Sequence, residues 1–416
     1  MSSPTLSNFA TGLTGETAFD VLAVAKKLKA AGKDVIELQI GDSPFPSSKS
    51  ALAAGAKAIA DGQTRYCAST GLPEFREVIA ETVQREFNIP AKAENVIVGP
   101  GAKVFETFFC ELFLEANDEV LFFSPQFPTF EPNVRRRNAK PVYAPLREAN
   151  AFRPDPNDVE QFLKTAKRPK AIFLNSPHNP TGGVATKEDL TAIANLIRGK
   201  DIALFSDEPY CHMVWKNRHH SILAEPGMFE HCVGAYTFSK SYSMSGWRLG
   251  YCLSSARNNE LIGKMVNTSL SCVPPLVQQA GIAALKYDAA ERDETMQKFY
   301  RKVQVLVEAL KKVEGVTVAE PAGTFYVFPN VSALCRKFGI RSHGLAMYLL
   351  EGADDKRGVA CLGGECFGEA GQGFIRFSCA EPDDRLLSAI EFFAEAITRK
   401  DRIASYLETH PKYRLG

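Results

Sequence analysis

The sequence predicts an α/β protein in which helices cover both faces of a mostly parallel β-sheet, together with a smaller domain of α+β type. Three observations support this fold class. Short strands that are apolar throughout alternate with helices between residues 95 and 240, and such strands are typical of sheets buried on both faces. The alternation is less regular beyond residue 313. With 416 residues, the chain is long enough to bury two cores.

The composition narrows the classes of partner. Lysine and arginine number 49 and aspartate and glutamate 48, which gives a net charge of +1. Because there is no long block of like charges, we expect neither nucleic acid nor a membrane as a partner and favour small molecules. The N-terminus lacks a signal-peptide pattern and no apolar run could span a bilayer, so the sequence predicts a cytoplasmic protein.

Cysteine and histidine usage predicts no metal centre. The ten cysteines include no Cys-x-x-Cys pair and are scattered in apolar segments, so we expect reduced thiols in the core. The adjacent residues His219 and His220 lack the helical spacing of a metal site.

The first predicted elements are a helix at 17–31 and a strand at 34–40. Apolar residues recur at helical spacing until Gly32 ends the helix, and an alternating pattern follows. The next segment, 41–46, contains two prolines and reads locally as a connecting turn. Further helices are predicted at 51–60 and 72–87.

A short apolar strand at 95–98 ends at Gly99-Pro100-Gly101, and a helix restarts at 103–114. A strand, a glycine turn and a helix together direct free backbone N–H groups and the positive end of a helix dipole at one point, where a phosphate would bind. Many α/β units turn through glycine and bind nothing, so the turn alone leaves both interpretations open. Neither a nucleotide P-loop nor a dinucleotide motif is present.

The remaining elements follow from the same patterns. Strands are predicted at 119–123, 171–174, 202–206, 232–237, 316–319, 325–328, 359–362 and 374–378, and helices at 187–198, within 276–313 as two helices, and at 342–350 and 383–400.

Polar or aromatic residues follow four successive strands of the predicted sheet. They are Phe127, Asn179 in Asn179-Pro180-Thr181-Gly182, Asp207 and Tyr210 in Asp207-Glu208-Pro209-Tyr210, and Lys240. Each has an ordinary explanation as a turn, a cap or core packing. Because ligands collect at the carboxyl ends of parallel strands, the four together predict one pocket.

Lys240 lies in an unusual segment, between Ser239 and Ser241 and eight residues before Arg248. Most lysines are solvated surface residues. The aromatic and apolar neighbours of Lys240 indicate a substantially buried segment, and a buried lysine has a lowered pKa that favours Schiff-base formation. Lys240 is therefore a candidate covalent anchor.

The pocket residues match the parts of pyridoxal phosphate. Phe127 can stack on a ring, Asp207 can bond the ring nitrogen, and Asn179 and Tyr210 can bond the ring oxygen. The phosphate would meet the helix start and the nearby hydroxyl and guanidinium groups. That phosphate site comprises Gly101, Ala102, Lys103, Thr237, Ser239 and Arg248.

Three segments resemble motifs of the class I/II aminotransferases, which are pyridoxal-phosphate enzymes of fold type I. They are Asn179-Pro180-Thr181-Gly182, Asp207-Glu208-Pro209-Tyr210, and the stretch from Ser239-Lys240 to Gly246-Trp247-Arg248-Leu249-Gly250. The resemblance runs from about Phe19 to the C-terminus. It implies that Lys240 carries the cofactor as a Schiff base and moves a proton at Cα, and that the other residues hold ring and phosphate as above. It also implies a seven-stranded large domain at 49–290 and a small domain from 1–48 and 291–416, joined by a long helix at about 291–313.

Three further roles come only from this resemblance. Tyr66 matches a tyrosine that reaches the phosphate in the neighbouring subunit, which implies a homodimer. Arg376 matches the arginine that binds the substrate α-carboxylate, with Asn179 beside it. Gly41 matches a glycine in the segment that closes over the substrate.

Several alternatives stay open at this stage. A β-eliminating carbon–sulfur lyase or an aminocyclopropane-carboxylate synthase would keep nearly all of these residues. A transcriptional regulator with a borrowed aminotransferase domain is disfavoured, since fewer than 20 residues precede the first helix and the charge is balanced. The donor is undecided: Lys103, Arg65 or Arg218 could bind a distal carboxylate, and residues 17–20 and Tyr326 could line the pocket.

Overall fold

The computed structural model describes residues 3–416, so Met1 and Ser2 of the predicted small domain lie outside the described residues. The helices are α1 (Asn8–Gly12), α2 (Thr17–Ala30), α3 (Lys49–Ala60), α4 (Pro73–Phe87), α5 (Lys103–Phe113), α6 (Phe130–Arg136), α7 (Pro156–Thr165), α8 (Lys187–Ile197), α9 (Ala256–Leu270), α10 (Pro275–Tyr287), α11 (Ala289–Leu310), α12 (Ser332–Phe338), α13 (Ser342–Met347), α14 (Asp383–Ala396) and α15 (Lys400–Thr409). The strands are β1 (Asp34–Glu37), β2 (Val96–Gly99), β3 (Glu119–Ser124), β4 (Lys140–Pro145), β5 (Pro169–Asn175), β6 (Ala203–Asp207), β7 (Cys232–Thr237), β8 (Gly250–Leu253), β9 (Tyr326–Val327), β10 (Arg357–Ala360), β11 (Leu362–Gly363) and β12 (Ile375–Ser378).

The largest sheet has seven strands in the order β2-β8-β7-β6-β5-β3-β4. Neighbouring strands from β7 through β6, β5 and β3 to β4 are parallel, and β8 runs antiparallel to both β2 and β7. The predicted α/β class with a mostly parallel seven-stranded sheet is therefore confirmed. Strands β4 and β8 are absent from the sequence prediction.

Alternation along each strand builds a core on both faces of this sheet. In β3, Val120 and Phe122 pack into one core with helix α5, whereas Leu121 and Phe123 pack into the opposite core. Successive strand side chains point to opposite faces, so a strand that is apolar throughout requires a helical cover on each side.

Local sequence signals set many helix ends. Proline stands at the first turn of α4, α7 and α10, where its missing N–H costs nothing. A capping box starts α8: the Thr186 hydroxyl accepts from the Asp189 N–H at 3.2 Å, and the Asp189 carboxylate accepts from the Thr186 N–H at 2.9 Å.

A third core joins the two ends of the chain. Strand β1 pairs in parallel with β10, and β9, β11 and β12 form a separate antiparallel sheet. Residues from α2, α11, α13, α14 and α15 share one hydrophobic cluster, to which Tyr210 and Met213 also contribute. This cluster is consistent with a small domain built from both termini; the boundaries at 48/49 and 290/291 stay a prediction.

Three predicted elements in the C-terminal part of the chain are wrong in detail. The single strand predicted at 359–362 is interrupted at Cys361, between β10 and β11. No strand forms at 316–319; Thr317 makes an isolated bridge to Asn330, while Val316 and Val318 satisfy their apolar pattern by packing on the third core. The predicted helix at 383–400 is two helices, because Arg399 leaves the helical conformation between α14 and α15. Strand β1 also ends at Glu37 and not at residue 40.

None of the helices within residues 3–416 is both long and apolar enough to cross a bilayer.

Candidate active site

A cavity of about 340 Å³ lies where the strand ends of the large sheet meet segments from both chain termini. It is lined by every predicted site residue except Tyr66. These residues are Gly41, Gly101, Ala102, Lys103, Phe127, Asn179, Asp207, Tyr210, Thr237, Ser239, Lys240, Arg248 and Arg376. The adjacent carboxyl ends of β3, β5, β6 and β7 bring residues that are distant in sequence into one site.

Asn175 and Asp207 form what we call the floor of the cavity. They are paired in register at the ends of β5 and β6, and the Asn175 side-chain amide donates to the Asp207 carboxylate at 3.1 Å. Burial, together with the neighbouring charge of Glu208, raises the pKa of Asp207 to about 7, although Lys103 and Lys240 partly oppose the shift. Asp207 makes no salt bridge within residues 3–416, so the floor favours a cationic ligand group.

Lys240 follows β7 and is half-buried against the cavity. Its Nζ donates to the Gly41 carbonyl oxygen at 2.6 Å and lies 5.8 Å from the centre of the Phe325 ring. The buried neighbours Phe238, Tyr242 and others confirm that the segment itself is largely buried. Because its hydrogen-bond partner is a neutral carbonyl, this amine can be redirected to a ligand without breaking an ion pair.

Arg376, in β12, is 4% exposed. Its Nη1 donates to Asn179 Oδ1 at 2.9 Å and its Nη2 to the Gln39 carbonyl oxygen at 2.5 Å. Its Nε has no hydrogen-bond partner in the described part of the chain. The guanidinium also lies over the Tyr326 ring, 4.3 Å from its centre. A buried guanidinium with an unused N–H and only neutral acceptors fits a carboxylate ligand.

The backbone at Gly41 packs tightly against Tyr326, whose hydroxyl group in turn meets that of Tyr210. The hydroxyl groups of Tyr210 and Tyr326 lie 3.1 Å apart, and burial raises the pKa of Tyr210. A Cβ atom on Gly41 would lie 1.7 Å from the Tyr326 hydroxyl oxygen. Only glycine therefore fits at this position.

Hydroxyl, backbone and guanidinium donors converge at the start of α5. The Thr237 hydroxyl donates to the Ser239 hydroxyl at 2.8 Å. The Arg248 guanidinium donates to the Pro100 carbonyl oxygen at 3.0 Å and the Ser245 carbonyl oxygen at 2.8 Å. Gly101 has a φ of +92°, and a Cβ atom there would lie 2.8 Å from Arg248. This cradle combines a helix N-terminus with a cation that is bound only to carbonyl groups.

Glu16 and Lys103 form what we call the rim of the cavity. Their side chains make an ion pair, and the Lys103 Nζ lies 5.3 Å from the centre of the Phe127 ring. Phe127 packs edge-on against Phe130 at 5.7 Å. Beneath the rim, burial raises the pKa of Glu106 well above its usual range, and Thr129 donates to its carboxyl group at 2.6 Å.

Three predicted residues lie away from this cavity. Tyr66 is 87% exposed, and Arg65 and Arg218 are also exposed and do not line it. The role of Tyr66 concerns a second subunit, so it stays a prediction. Of the three candidate cations for a distal carboxylate, Lys103 lines the cavity of its own chain.

Sequence reasoning missed several lining or supporting residues. They are Glu16, Glu106, Asn175, Ser245, Leu362, Cys366 and Phe367. Asn175 directly follows the predicted strand 171–174, so the strand-end argument could have found it. Ser245 lies within the predicted segment between Lys240 and Arg248, so it could have been found as well. The others come from the starts of helices or from the C-terminal segments, and no local pattern connects them to the site. Thr17, Ala18, Phe19 and Tyr326 do line the cavity, as considered for 17–20 and Tyr326.

Comparison with known proteins identifies the family. The sequence model of the family described as Aminotransferase class I and II matches residues 33–393. An aspartate aminotransferase of Pyrococcus horikoshii is 34% identical over 367 residues, which cover 88% of this chain and 91% of that protein.

Solved structures agree with the sequence match. The Thermus thermophilus aspartate aminotransferase determined with maleate is 29% identical, with a TM-score of 0.87, and the match covers 95% of this chain and all of that one. An aromatic aminotransferase from Pyrococcus horikoshii is 30% identical, with a TM-score of 0.83, and covers 91% of this chain and all of that one. The resemblance predicted from the motifs is confirmed: the chain belongs to the class I and II aminotransferase family, the pyridoxal-phosphate enzymes of fold type I.

Proposed function

We propose that this protein transfers an amino group between an L-amino acid and a 2-oxo acid by a ping-pong mechanism with bound pyridoxal phosphate. The acceptor is 2-oxoglutarate, and the donor is aspartate or one of a broader set of amino acids. One observation carries the proposal: an amine, a buried carboxyl group without an ionic partner and a buried arginine line the same cavity, in Lys240, Asp207 and Arg376.

The residues of the cavity fit pyridoxal phosphate. A protonated pyridine nitrogen beside Asp207 would stabilise the ionised form of a carboxyl group whose pKa burial has raised to about 7. The cradle at Gly101 and Arg248 offers backbone, hydroxyl and guanidinium donors to a phosphate. We assign the remaining contacts as follows: Phe127 covers the ring, Asn179 and Tyr210 bond the ring oxygen, and Ala102, Lys103, Thr237 and Ser239 complete the phosphate site.

When bound, pyridoxal phosphate supplies an aldehyde that takes the amino group and a ring that accepts the electron pair left at Cα. Lys240 is the amine that would hold the aldehyde, and its Nζ, once free, would act as the base that removes the Cα proton. The hydrogen bond from Nζ to Gly41 keeps this amine at the closing segment of the site.

Arg376 orients the substrate. Its guanidinium fork would bind the α-carboxylate, with Asn179 fixing one arm and the Gln39 carbonyl the other. A fixed carboxylate determines which Cα bond faces Lys240, and so favours proton removal over loss of the carboxyl group. The Gly41 segment and Tyr326 would close over the substrate and exclude water.

The same resemblance supports a cytoplasmic homodimer. Tyr66 is a large, 87% exposed aromatic residue, and we infer that it reaches the phosphate site of the neighbouring subunit. Sedimentation at twice the chain mass of 45.7 kDa is the expected result. An active monomer would contradict the shared site.

The test is a panel of amino donors with 2-oxoglutarate, applied to the wild type and to Lys240→Ala. Loss of the base should lower the rate by about 10⁴-fold. Lys57→Ala is the matched control, since Lys57 is an exposed lysine of α3 that pairs with Asp61, the residue after the end of that helix.

Two results would contradict the proposal. One is a transamination rate in Lys240→Ala that equals the wild-type rate. The other is release of ammonia and pyruvate by the wild type in the absence of an acceptor, which would indicate the lyase alternative.

A further inference from the structure

Glu16 has no part in the reaction described above, and its partner Lys103 has been assigned only to the phosphate site at the start of α5. Glu16 is the residue immediately before α2, and Lys103 is the first residue of α5. Although they are 87 residues apart in sequence, the Lys103 Nζ donates to the Glu16 carboxylate inside the cavity. The Glu16 side chain is 17% exposed and that of Lys103 is 49% exposed, so the pair lines the cavity where it meets solvent.

Lys103 differs from the other three cations of the cavity. Lys240, Arg248 and Arg376 bond to carbonyl or amide oxygens, which are neutral acceptors. Within residues 3–416, Lys103 is the one cavity cation whose partner is a carboxylate. Lys240, Arg248 and Arg376 therefore remain available as counter-ions for an anionic ligand, whereas the charge of Lys103 is already balanced by Glu16.

The surroundings of the pair add more acidic groups. Burial is the larger influence on the pKa of both Glu106 and Asp207, but the charge of Lys103 lowers the pKa of both carboxyl groups, and the charge of Glu16 raises the pKa of Glu106. A distal carboxylate that approaches Lys103 would meet attraction from the ammonium and repulsion from Glu16 at similar distances. These two Coulomb energies have opposite signs and similar size. The apolar parts of Ala18, Phe19 and Phe127 line the same region and suit an uncharged side chain.

We propose that Glu16 is a specificity-determining residue that neutralises Lys103 as an internal counter-ion. Amino acids with uncharged side chains bind without disturbing the pair. A dicarboxylic substrate binds only when its distal carboxylate displaces Glu16 from Lys103, so the enzyme has broad donor specificity with little selectivity for aspartate. This inference rests on the proposed aminotransferase function.

The test compares donors in Glu16→Gln, which removes the negative charge and keeps the side-chain size. We expect kcat/KM for aspartate to rise at least tenfold, whereas kcat/KM for alanine and phenylalanine changes less than threefold. Asp20→Asn is the matched control, because Asp20 is an exposed acid in the first turn of α2 that does not line the cavity; its aspartate-to-alanine ratio should equal that of the wild type.

A second measurement does not depend on turnover. Calorimetric titration of the holoenzyme with succinate should show at least tenfold tighter binding to Glu16→Gln than to the wild type, and titration with butyrate should show no such difference. In a double-mutant cycle at saturating pyridoxal phosphate, Lys103→Met should reduce the gain caused by Glu16→Gln, because the part of the gain that comes from freeing the ammonium needs Lys103, whereas the loss of repulsion from Glu16 does not.

The outcomes separate this inference from the proposed function. An active wild type whose aspartate-to-alanine ratio and succinate affinity do not change in Glu16→Gln would overturn the role of Glu16 alone. A wild type that transaminates no donor would overturn the proposed function. Should Glu16→Gln fold poorly, Glu16→Ala is expected to give the same shift in ratio.

Discussion

The floor and the rim of the cavity differ in whether their charged groups have a counter-ion. At the floor, Asp207 is buried, its pKa is raised to about 7, and its partner Asn175 is neutral. At the rim, the half-exposed Lys103 is paired with Glu16. A buried carboxyl group without a counter-ion costs stability, whereas a pair near solvent is nearly neutral in free energy. The floor is thus built for a ligand that brings a positive charge, and the rim for exchange of one carboxylate for another.

Of the two regions, the floor should give the larger effect on catalysis. Asp207→Asn removes the charge that stabilises a protonated ring nitrogen, so we expect kcat to fall by about 10²- to 10³-fold. Steady-state kinetics at saturating cofactor measures this loss. Wild-type kcat in Asp207→Asn would contradict the role given to the floor.

Although Asp207→Asn should lower kcat, it should raise the free energy of unfolding of the cofactor-free protein. Below about pH 4 the Asp207 carboxyl is protonated in both folded and unfolded states; between that pH and about 7 only the unfolded state ionises, so the wild type loses stability as pH rises. At pH 8, cofactor-free Asp207→Asn should be more stable than the wild type by up to about 4 kcal/mol. Glu16→Gln, the control at the rim, should change the free energy of unfolding by less than about 1 kcal/mol. Urea unfolding at pH 4 and pH 8 distinguishes the two regions.

A smaller effect is expected at Arg376, which lines the same cavity but belongs to neither region. Arg376→Lys keeps the positive charge but loses the planar fork that Asn179 and Gln39 hold in place. We expect kcat/KM for amino donors to fall about 10²-fold, with the visible absorbance of the bound cofactor unchanged. The same substitution at the half-exposed Arg357 of β10, which pairs with Glu395, is the control. Equal kcat/KM in Arg376→Lys and the wild type would exclude carboxylate binding by Arg376.

Asp207 of the floor could be predicted from sequence because its position depends on local order, whereas its partner Asn175 was missed. Asp207, Asn179 and Lys240 each follow an apolar strand, and parallel strands place such residues at one edge. The large sheet was predictable for the same reason, apart from β4 and β8. Strand β8 turns back antiparallel directly after Arg248, and its few apolar residues carry no signal of direction.

The rim could not be predicted in this way. Lys103 was predicted at the start of the helix 103–114, but no local pattern connects it with Glu16; the two meet only because the starts of α2 and α5 both reach the cavity. The same holds for Cys366 and Phe367, which reach the site from the C-terminal part of the chain. Contacts between distant segments depend on tertiary packing, which one sequence does not encode as a local signal.

The central claim is that Lys240 is the amine that holds the cofactor. The most direct measurement incubates the protein with pyridoxal phosphate, reduces it with borohydride and locates the added mass by peptide mass spectrometry. We predict one stable label on the peptide that contains Lys240 and none in Lys240→Ala. A label on Lys103 or another lysine, with Lys240 unmodified, would contradict this account.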